Sequence, residues 1–255
     1  APGAILAAAA LLLMHPAVER SLGHVRFGTL VFFGLPVVAL LAALLFARPI
    51  ARAVAGRGGA LRFIPWAGAV FAADQSFIGL GHLCRMVSFT YGDQTLMEHP
   101  FRALLWGLPV CLFLGGLGTE RALRAALPAP AGRFGAVAFS ILAGTIAALP
   151  PILRGSPFVG VPFVAGGIAT AFLREIALVF IYLGGGGLVV SGLLRGAFMY
   201  LERFVITDTD SLWLPMAQVT TSDPRFYLLR VATAAAALLV AAWGMWRRRT
   251  AETSR

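Results

Sequence analysis

Long apolar runs, separated by short clusters of charged residues, glycine and proline, dominate this chain. Eight such runs predict helices, and they cover residues 3–15, 27–47, 63–90, 102–118, 134–153, 161–183, 187–206 and 226–246. About 20 apolar residues cross the hydrocarbon core of a bilayer as a helix. The pattern therefore predicts an all-α fold, a polytopic transmembrane bundle of about eight spans, formed by residues 1–255 as a single integral membrane domain.

Composition supports an integral membrane protein. Hydrophobic residues make up 59% of the chain, charged residues 13%, and the mean hydropathy is +0.83. Ordinary soluble domains carry about 25% charged residues. The chain contains no lysine, which excludes a Schiff-base lysine and the covalent chemistry that depends on one.

The net charge of +10 is placed in a way that argues against a nucleic-acid partner. The arginines lie mainly in the short connections between apolar runs, eleven on one side of the predicted bundle and six on the other. The positive-inside rule assigns the richer side to the cytoplasm. We therefore expect both termini to be cytoplasmic, with the chain a multi-pass protein of a bacterial inner membrane and the bilayer its main partner.

One apolar run carries charge near its centre. Arg174 and Glu175 interrupt the run 161–183, and the absence of proline and glycine between Ile168 and Leu183 argues against a hairpin at that point. Ionisable groups inside a span are costly and are functional candidates by default. The GGGG sequence at 184–187 then predicts a tight turn between this helix and the next.

Two other predicted helices place charges at a similar depth. Asp74 lies about three turns inside the run 63–90, and Arg195 lies about two turns inside the run 187–206. Adjacent side chains on a helix do not face each other, so Arg174 and Glu175 need partners on neighbouring helices. Pairing Asp74 with Arg174 and Glu175 with Arg195 balances the charges, and the opposite pairing also does so.

Further polar residues extend this set toward the predicted far side. Arg85 projects from nearly the same face as Asp74, and His82 lies about 80° round the helix. Glu202 follows Arg195 by seven residues, on the same face. The candidate ligand-binding residues are Asp74, His82, Arg85, Arg174, Glu175 and Arg195. A purely structural interpretation, in which the buried pairs fix helix register, stays open beside the functional one.

Motifs of known chemistry are missing from the sequence. There is no HExxH or GxSxG sequence, and the four histidines show neither HxxxH spacing nor a CxxC partner. No metal site is predicted, no cofactor is identified, and the sequence leaves open whether the protein is an enzyme.

Three functions remain open at this stage. The first is a permease-like or ligand-binding bundle for a small anionic or proton-coupled solute, with His82 and Arg85 at its far-side entrance. The second is a non-catalytic membrane subunit of a larger respiratory, photosynthetic or assembly complex, in which the small-residue sequences GGLG and AGGIATA contact partner subunits. A homo-oligomer is also open. The third is an intramembrane enzyme for a lipid-like substrate, which needs His82 beside a carboxylate.

Overall fold

The computed structural model describes residues 60–91, 107–125, 132–153, 161–207, 217–221 and 223–253, together with a few positions between 44 and 52. The predicted helix 3–15 and most of the predicted helix 27–47 lie outside the described residues. The described part of the chain is mostly helical, as the apolar pattern predicts.

Six helices match the six apolar runs that begin at residue 63. Their bounds are Ile64–Leu83 for α1, Val110–Gly118 continued by Thr119–Ala125 for α2, Gly132–Leu153 for α3, Val161–Ile181 for α4, Gly187–Tyr200 for α5 and Arg225–Thr253 for α6. The first part of α2 is a π-helix, and shorter π-helical turns follow α4 at Tyr182–Gly186 and α5 at Leu201–Val205.

Two helical stretches of the described residues are long and apolar enough to cross a membrane. They are Phe163–Tyr200, with 38 residues, and Arg225–Arg248, with 24 residues; the mean hydropathy reaches 2.1 and 1.8 in an 18-residue window of each. These two stretches support membrane association by their length and composition. The count of eight spans and the sidedness of the termini stay predictions.

The first of these stretches is folded back on itself at the four glycines. Gly185 has a φ of 117° and Gly187 a φ of 59°, conformations that glycine adopts without the penalty of a Cβ atom. Glu175 and Arg195 are hydrogen-bonded, yet 20 residues of straight helix would separate them by about 30 Å. The predicted turn at 184–187 is therefore present, and α4 and α5 are the two arms of a helical hairpin.

The sequence predicted a helix over 63–90, but α1 ends at Leu83. Arg85 has a φ of 55°, and its backbone N–H bonds to the carbonyl of His82, while the N–H of Met86 bonds to the carbonyl of Gly81. This is the Schellman arrangement that satisfies the last carbonyls of a helix. The apolar residues after it continue as an extended strand.

A small sheet, which the apolar pattern did not predict, closes one end of the bundle. Its strands are β1 (Ser88–Tyr91), β2 (Ile206–Thr207) and β3 (Ala217–Thr220), in the order β1-β3-β2. Strand β1 is antiparallel to β3, and β2 is parallel to it. We call this end of the bundle the sheet end, since α1 and α5 run into it and α6 starts from it.

At the opposite end, which we call the glycine end, the turn at 184–187 lies against the start of α1 and the later part of α6. Arg248 donates a hydrogen bond from Nη1 to the carbonyl of Gly184 at 2.6 Å, and its guanidinium lies 5.7 Å from the ring centroid of Phe63. Helices α1 and α5 therefore run from the glycine end to the sheet end, and α4 and α6 run the other way.

Small residues allow α2 and α5 to pack closely inside the chain. A Cβ atom at Gly116 would lie 2.1 Å from the carbonyl oxygen of Gly192, and one at Gly196 would lie 2.6 Å from that of Cys111. Gly166 of α4 similarly faces Tyr227 of α6. The sequences GGLG and AGGIATA thus serve contacts within the chain at these positions, because only glycine permits such approach.

Candidate functional site

Among the residues that the structure describes, seven charged side chains form two ion-pair networks inside the bundle. We call the network nearer the sheet end the outer network, formed by Asp74, Arg174, Glu202 and Arg230. The second, which we call the inner network, is formed by Glu120, Glu175 and Arg195. Arg174 and Glu175 are neighbours on α4, so this helix contributes one residue to each network.

The outer network is built around the guanidinium of Arg174. Its Nε donates to both carboxylate oxygens of Asp74 at 2.9 Å, its Nη2 lies 2.6 Å from Oδ2 of Asp74, and its Nη1 donates to Oε1 of Glu202. The guanidinium also lies 5.0 Å from the ring centroid of Phe198. A second arginine, Arg230 of α6, donates to the same oxygen of Glu202 at 3.2 Å.

Burial changes along the outer network. The side chain of Asp74 is fully buried, that of Arg174 is 11% exposed, and that of Glu202 is 32% exposed. The formal charges of its two carboxylates and two guanidinium groups cancel. A row of ionisable groups therefore leads from the middle of the bundle toward solvent at the sheet end.

The inner network is buried throughout. Arg195 of α5 binds both carboxylate oxygens of Glu175 at 2.5 and 2.6 Å, and its Nε and Nη2 both lie 3.0 Å from Oε2 of Glu120. A Cβ atom at Gly144 of α3 would lie 2.2 Å from Oε2 of Glu175. One guanidinium thus holds two carboxylates with the bidentate geometry that Arg provides.

The observed pairs are the first of the two pairings that the sequence left open. Asp74 binds Arg174, and Glu175 binds Arg195. The hairpin explains the second pair, because Glu175 and Arg195 lie at equal sequence distances from Gly185 on its two arms. Four of the six predicted site residues are therefore brought together at the centre of the bundle.

The other two predicted residues lie apart from both networks. His82 is exposed, and its ring packs against Phe89 of β1 with 5.2 Å between centroids. Arg85 is also exposed, and its positive φ makes it the cap residue that ends α1. Within the part of the chain that the structure describes, His82 has no hydrogen bond to a carboxylate.

A cleft opens beside the outer network at the sheet end. Its lining residues are Gln75, Phe77, Ile78, Glu202, Val219, Phe226 and Arg230. The space between these atoms, including the part open to solvent, is about 270 Å³. The part of it that a water molecule can occupy is about 20 Å³, which is room for about one water.

Gln75 connects the cleft with the buried aspartate. Its Nε2 donates to Oδ2 of Asp74 at 2.8 Å. Its carbonyl oxygen Oε1 is buried and accepts no hydrogen bond from the residues that the structure describes. Buried acceptors normally have a partner, and an ordered water is the usual one when protein donors are missing.

Sequence reasoning placed three members of the networks outside the candidate site. Glu120 lies two residues beyond the predicted helix 102–118 and was assigned to a connection, but α2 continues through it to Ala125. Arg230 lies in the second turn of α6, where it resembles an interfacial arginine. Glu202 was placed on the face of Arg195; it lies in the π-helical turn Leu201–Val205 and accepts a hydrogen bond from Arg174. Such turns are frequent near functional sites.

Comparison with known proteins does not identify a function for this site. No family model, curated protein or solved structure matches the chain. The function therefore has to be argued from the two networks and the cleft.

Proposed function

We propose that this protein is a permease-like helix bundle of a bacterial inner membrane that moves protons through its buried acidic residues. Of the solutes that the sequence left open, the proton is the one that the geometry favours. The site consists of Asp74, Arg174, Glu175 and Arg195, extended by Glu120, Glu202 and Arg230.

One observation carries the proposal: the outer network connects a fully buried carboxylate with a partly exposed one. Asp74 lies in the middle of α1, and Glu202 lines the cleft at the sheet end. Charged groups at the centre of a membrane bundle are expensive, and acidic residues in such positions are typical of proton pathways. A carboxylate accepts and releases a proton without any change in the covalent structure around it.

The two arginines of the hairpin are poorly placed to bind an anionic solute. Each guanidinium already contacts two carboxylates, so an anion would have to displace one of them. The cleft beside the outer network has room for about one water molecule. A proton needs no larger site, because it travels along hydrogen bonds.

Two features favour this proposal over the alternative functions. A subunit of a larger complex would use small-residue surfaces for its partners, but Gly116 and Gly166 face other helices of this chain. An enzyme acting on lipid would need His82 beside a carboxylate, but its ring packs on Phe89 at the exposed end of α1.

Proton movement is tested in liposomes that contain the purified protein. A potassium gradient with valinomycin drives protons, and a trapped pH-sensitive dye reports their flux. We compare the unmodified protein with Asp74→Asn, which keeps the size of the side chain but cannot ionise. The matched control is Asp223→Asn, the same chemical change in a residue paired with the exposed Arg225 outside both networks.

The proposal expects flux from the unmodified protein and from Asp223→Asn, and flux at the level of empty liposomes from Asp74→Asn. Folding of each variant is checked by a monodisperse elution profile in detergent. Two results would overturn the proposal: no flux from the unmodified protein, or unchanged flux from folded Asp74→Asn.

A further inference from the structure

We infer that the cleft at the sheet end is the port through which protons reach the bundle. One water binds to Gln75 in this cleft, and Glu202 is the first residue to accept the proton. This inference rests on the proposed function and adds to it a direction, a bound water and a receiving group. The observations that carry it are the size of the cleft and the residues that line it, among them Gln75, Glu202 and Arg230.

The amide of Gln75 provides a place for the water. Its nitrogen donates to Asp74, which fixes the orientation of the amide and directs Oε1 away from that carboxylate. The buried Oε1 accepts no hydrogen bond from described residues, although Gln75 lines a cleft with room for about one water. A water in that position satisfies the carbonyl oxygen and brings a proton donor next to the outer network.

Glu202 provides the receiving group. It is the most exposed member of the outer network, with 32% of its side chain accessible, and it lines the same cleft as Gln75. The carboxylates farther inside, Asp74, Glu120 and Glu175, are nearly or fully buried. A proton that arrives from the sheet side therefore meets Glu202 before any of them.

The remaining walls select a proton over a metal cation. Phe77 and Phe226 pack with 5.6 Å between ring centroids and form an apolar wall. The guanidinium of Arg230 lies 5.2 Å from the Phe77 centroid and carries a positive charge in the cleft. A metal cation would need several oxygen ligands, more than the lining and the space of this cleft provide. A proton passed from the water to Glu202 needs no space beyond that of the water and no further ligands.

The transfer step is balanced as a simple acid–base exchange. A hydronium ion in the cleft gives one proton to the carboxylate of Glu202, leaving a neutral water and a neutral carboxylic acid. No bond other than the O–H bonds changes, and no oxidant or co-reactant takes part. The neutral acid holds Arg174 and Arg230 less strongly, because the charge that attracted both guanidinium groups has gone.

The port is tested by three substitutions in the same liposome assay. Glu202→Gln removes the receiving group, and Ile78→Trp fills the cleft; both should reduce the flux to that of empty liposomes. Gln75→Met keeps the length of the side chain but removes both the donor to Asp74 and the acceptor for the water, so it should lower the flux at least about fivefold. The matched control is Leu80→Trp, two residues away on an exposed part of α1, which should leave the flux unchanged.

A second measurement does not depend on transport. Infrared difference spectra of the protein in nanodiscs are recorded after a pH drop, in H₂O and in D₂O. The inference expects a protonated carboxyl band that shifts in D₂O, persists in Asp223→Asn and is lost in Glu202→Gln. A spectrum that is the same with and without Glu202 overturns the inference.

The outcomes separate the port from the proposed function. If Asp74→Asn blocks the flux but Glu202→Gln and Ile78→Trp conduct normally, the port is wrong and the proposed function stands. If the unmodified protein conducts no protons but the Glu202 band is present, the proposed function is wrong and the port stands as a protonation site. Equal loss of flux in Ile78→Trp and Leu80→Trp also overturns the port.

Discussion

The outer and inner networks apply the same pairing of arginine and carboxylate in two different environments. The outer network leads from buried Asp74 to Glu202, whose side chain is 32% exposed beside a cleft. The inner network holds Glu120 and Glu175 on one guanidinium, and α3 closes over it at Gly144. The two are joined through consecutive residues of α4, so a change in the position of this helix affects both.

This difference assigns different roles to the two networks. Removing one partner from a buried pair leaves an uncompensated charge, which is strongly destabilising. A partly exposed pair gives a smaller effect, because water replaces the lost partner. We therefore expect the inner network to control folding and the outer network to control function.

The largest effect is expected from Arg195→Gln, which leaves Glu120 and Glu175 without their shared guanidinium. The loss of one partner from a buried ion pair costs about 3–5 kcal/mol. Thermal unfolding in detergent measures this effect, with Arg247→Gln as a control at an exposed arginine that lies over Trp243. If Arg195→Gln is as stable as this control, the inner network does not have the structural role assigned to it.

A steric change tests the inner network without altering any charge. In Gly144→Ala the new Cβ would lie 2.2 Å from Oε2 of Glu175, so the carboxylate has to move away from Arg195. Overpacking of this kind costs about 1–3 kcal/mol. The control is Gly79→Ala in α1, where no atom lies within 4 Å of the new Cβ. There the substitution should stabilise the helix by about 0.5–1 kcal/mol, and similar melting temperatures for both variants would contradict the close packing of Gly144 against Glu175.

A smaller effect on stability is expected from Glu202→Gln in the outer network. Arg174 keeps both of its bonds to Asp74, and water replaces part of the lost interaction at this exposed position. The expected loss is about 1 kcal/mol, measured by the same unfolding assay, together with the loss of proton flux. If Glu202→Gln destabilises the protein as much as Arg195→Gln does, the assigned difference between the networks is wrong.

The smallest effect concerns Asp223, outside both networks at the start of α6. Hydrogen bonds from the side chain and backbone of Arg225 lower the pKa of this carboxyl below its usual value. A lowered pKa in the folded state stabilises the protein above the unfolded pKa of about 4, and the benefit disappears as the pH falls through the folded pKa. Melting curves of Asp223→Asn and the unmodified protein should therefore differ slightly at neutral pH and converge in acid. A difference that does not shrink in acid would contradict a stabilising role for the hydrogen bonds between Asp223 and Arg225.

Much of the fold follows from local properties of the sequence. The apolar run 161–183 predicted α4 within two residues of its observed end, and GGGG predicted the turn that follows. Glycine alone has the conformational freedom that this turn requires, so the signal is local and readable. The sheet was not predicted, because β1 lies at the end of an apolar run and pairs with β3 more than 120 residues later in the chain.

The candidate site was predicted in part, and the reason lies in the geometry of helices. Arg174 and Glu175 stood out because charges inside an apolar run are rare, and the same signal identified Asp74 and Arg195. Glu120 and Arg230 lie near the ends of apolar runs, where charged residues are common and carry no such signal. Arg85 was assigned to the site from its helical face, but the helix ends before it and its backbone serves as a cap.

The sequence by itself determined that this chain forms long apolar helices with charges near their centres, because the length and periodicity of apolar runs are local properties. It also determined where the chain turns back, because four consecutive glycines remove the steric barrier to a tight reversal. Only the tertiary structure decided which charges pair, since Arg174 and Arg195 each contact carboxylates from two other parts of the chain. It also separated the charges into a buried network and a partly exposed one, because burial depends on how all the helices pack together.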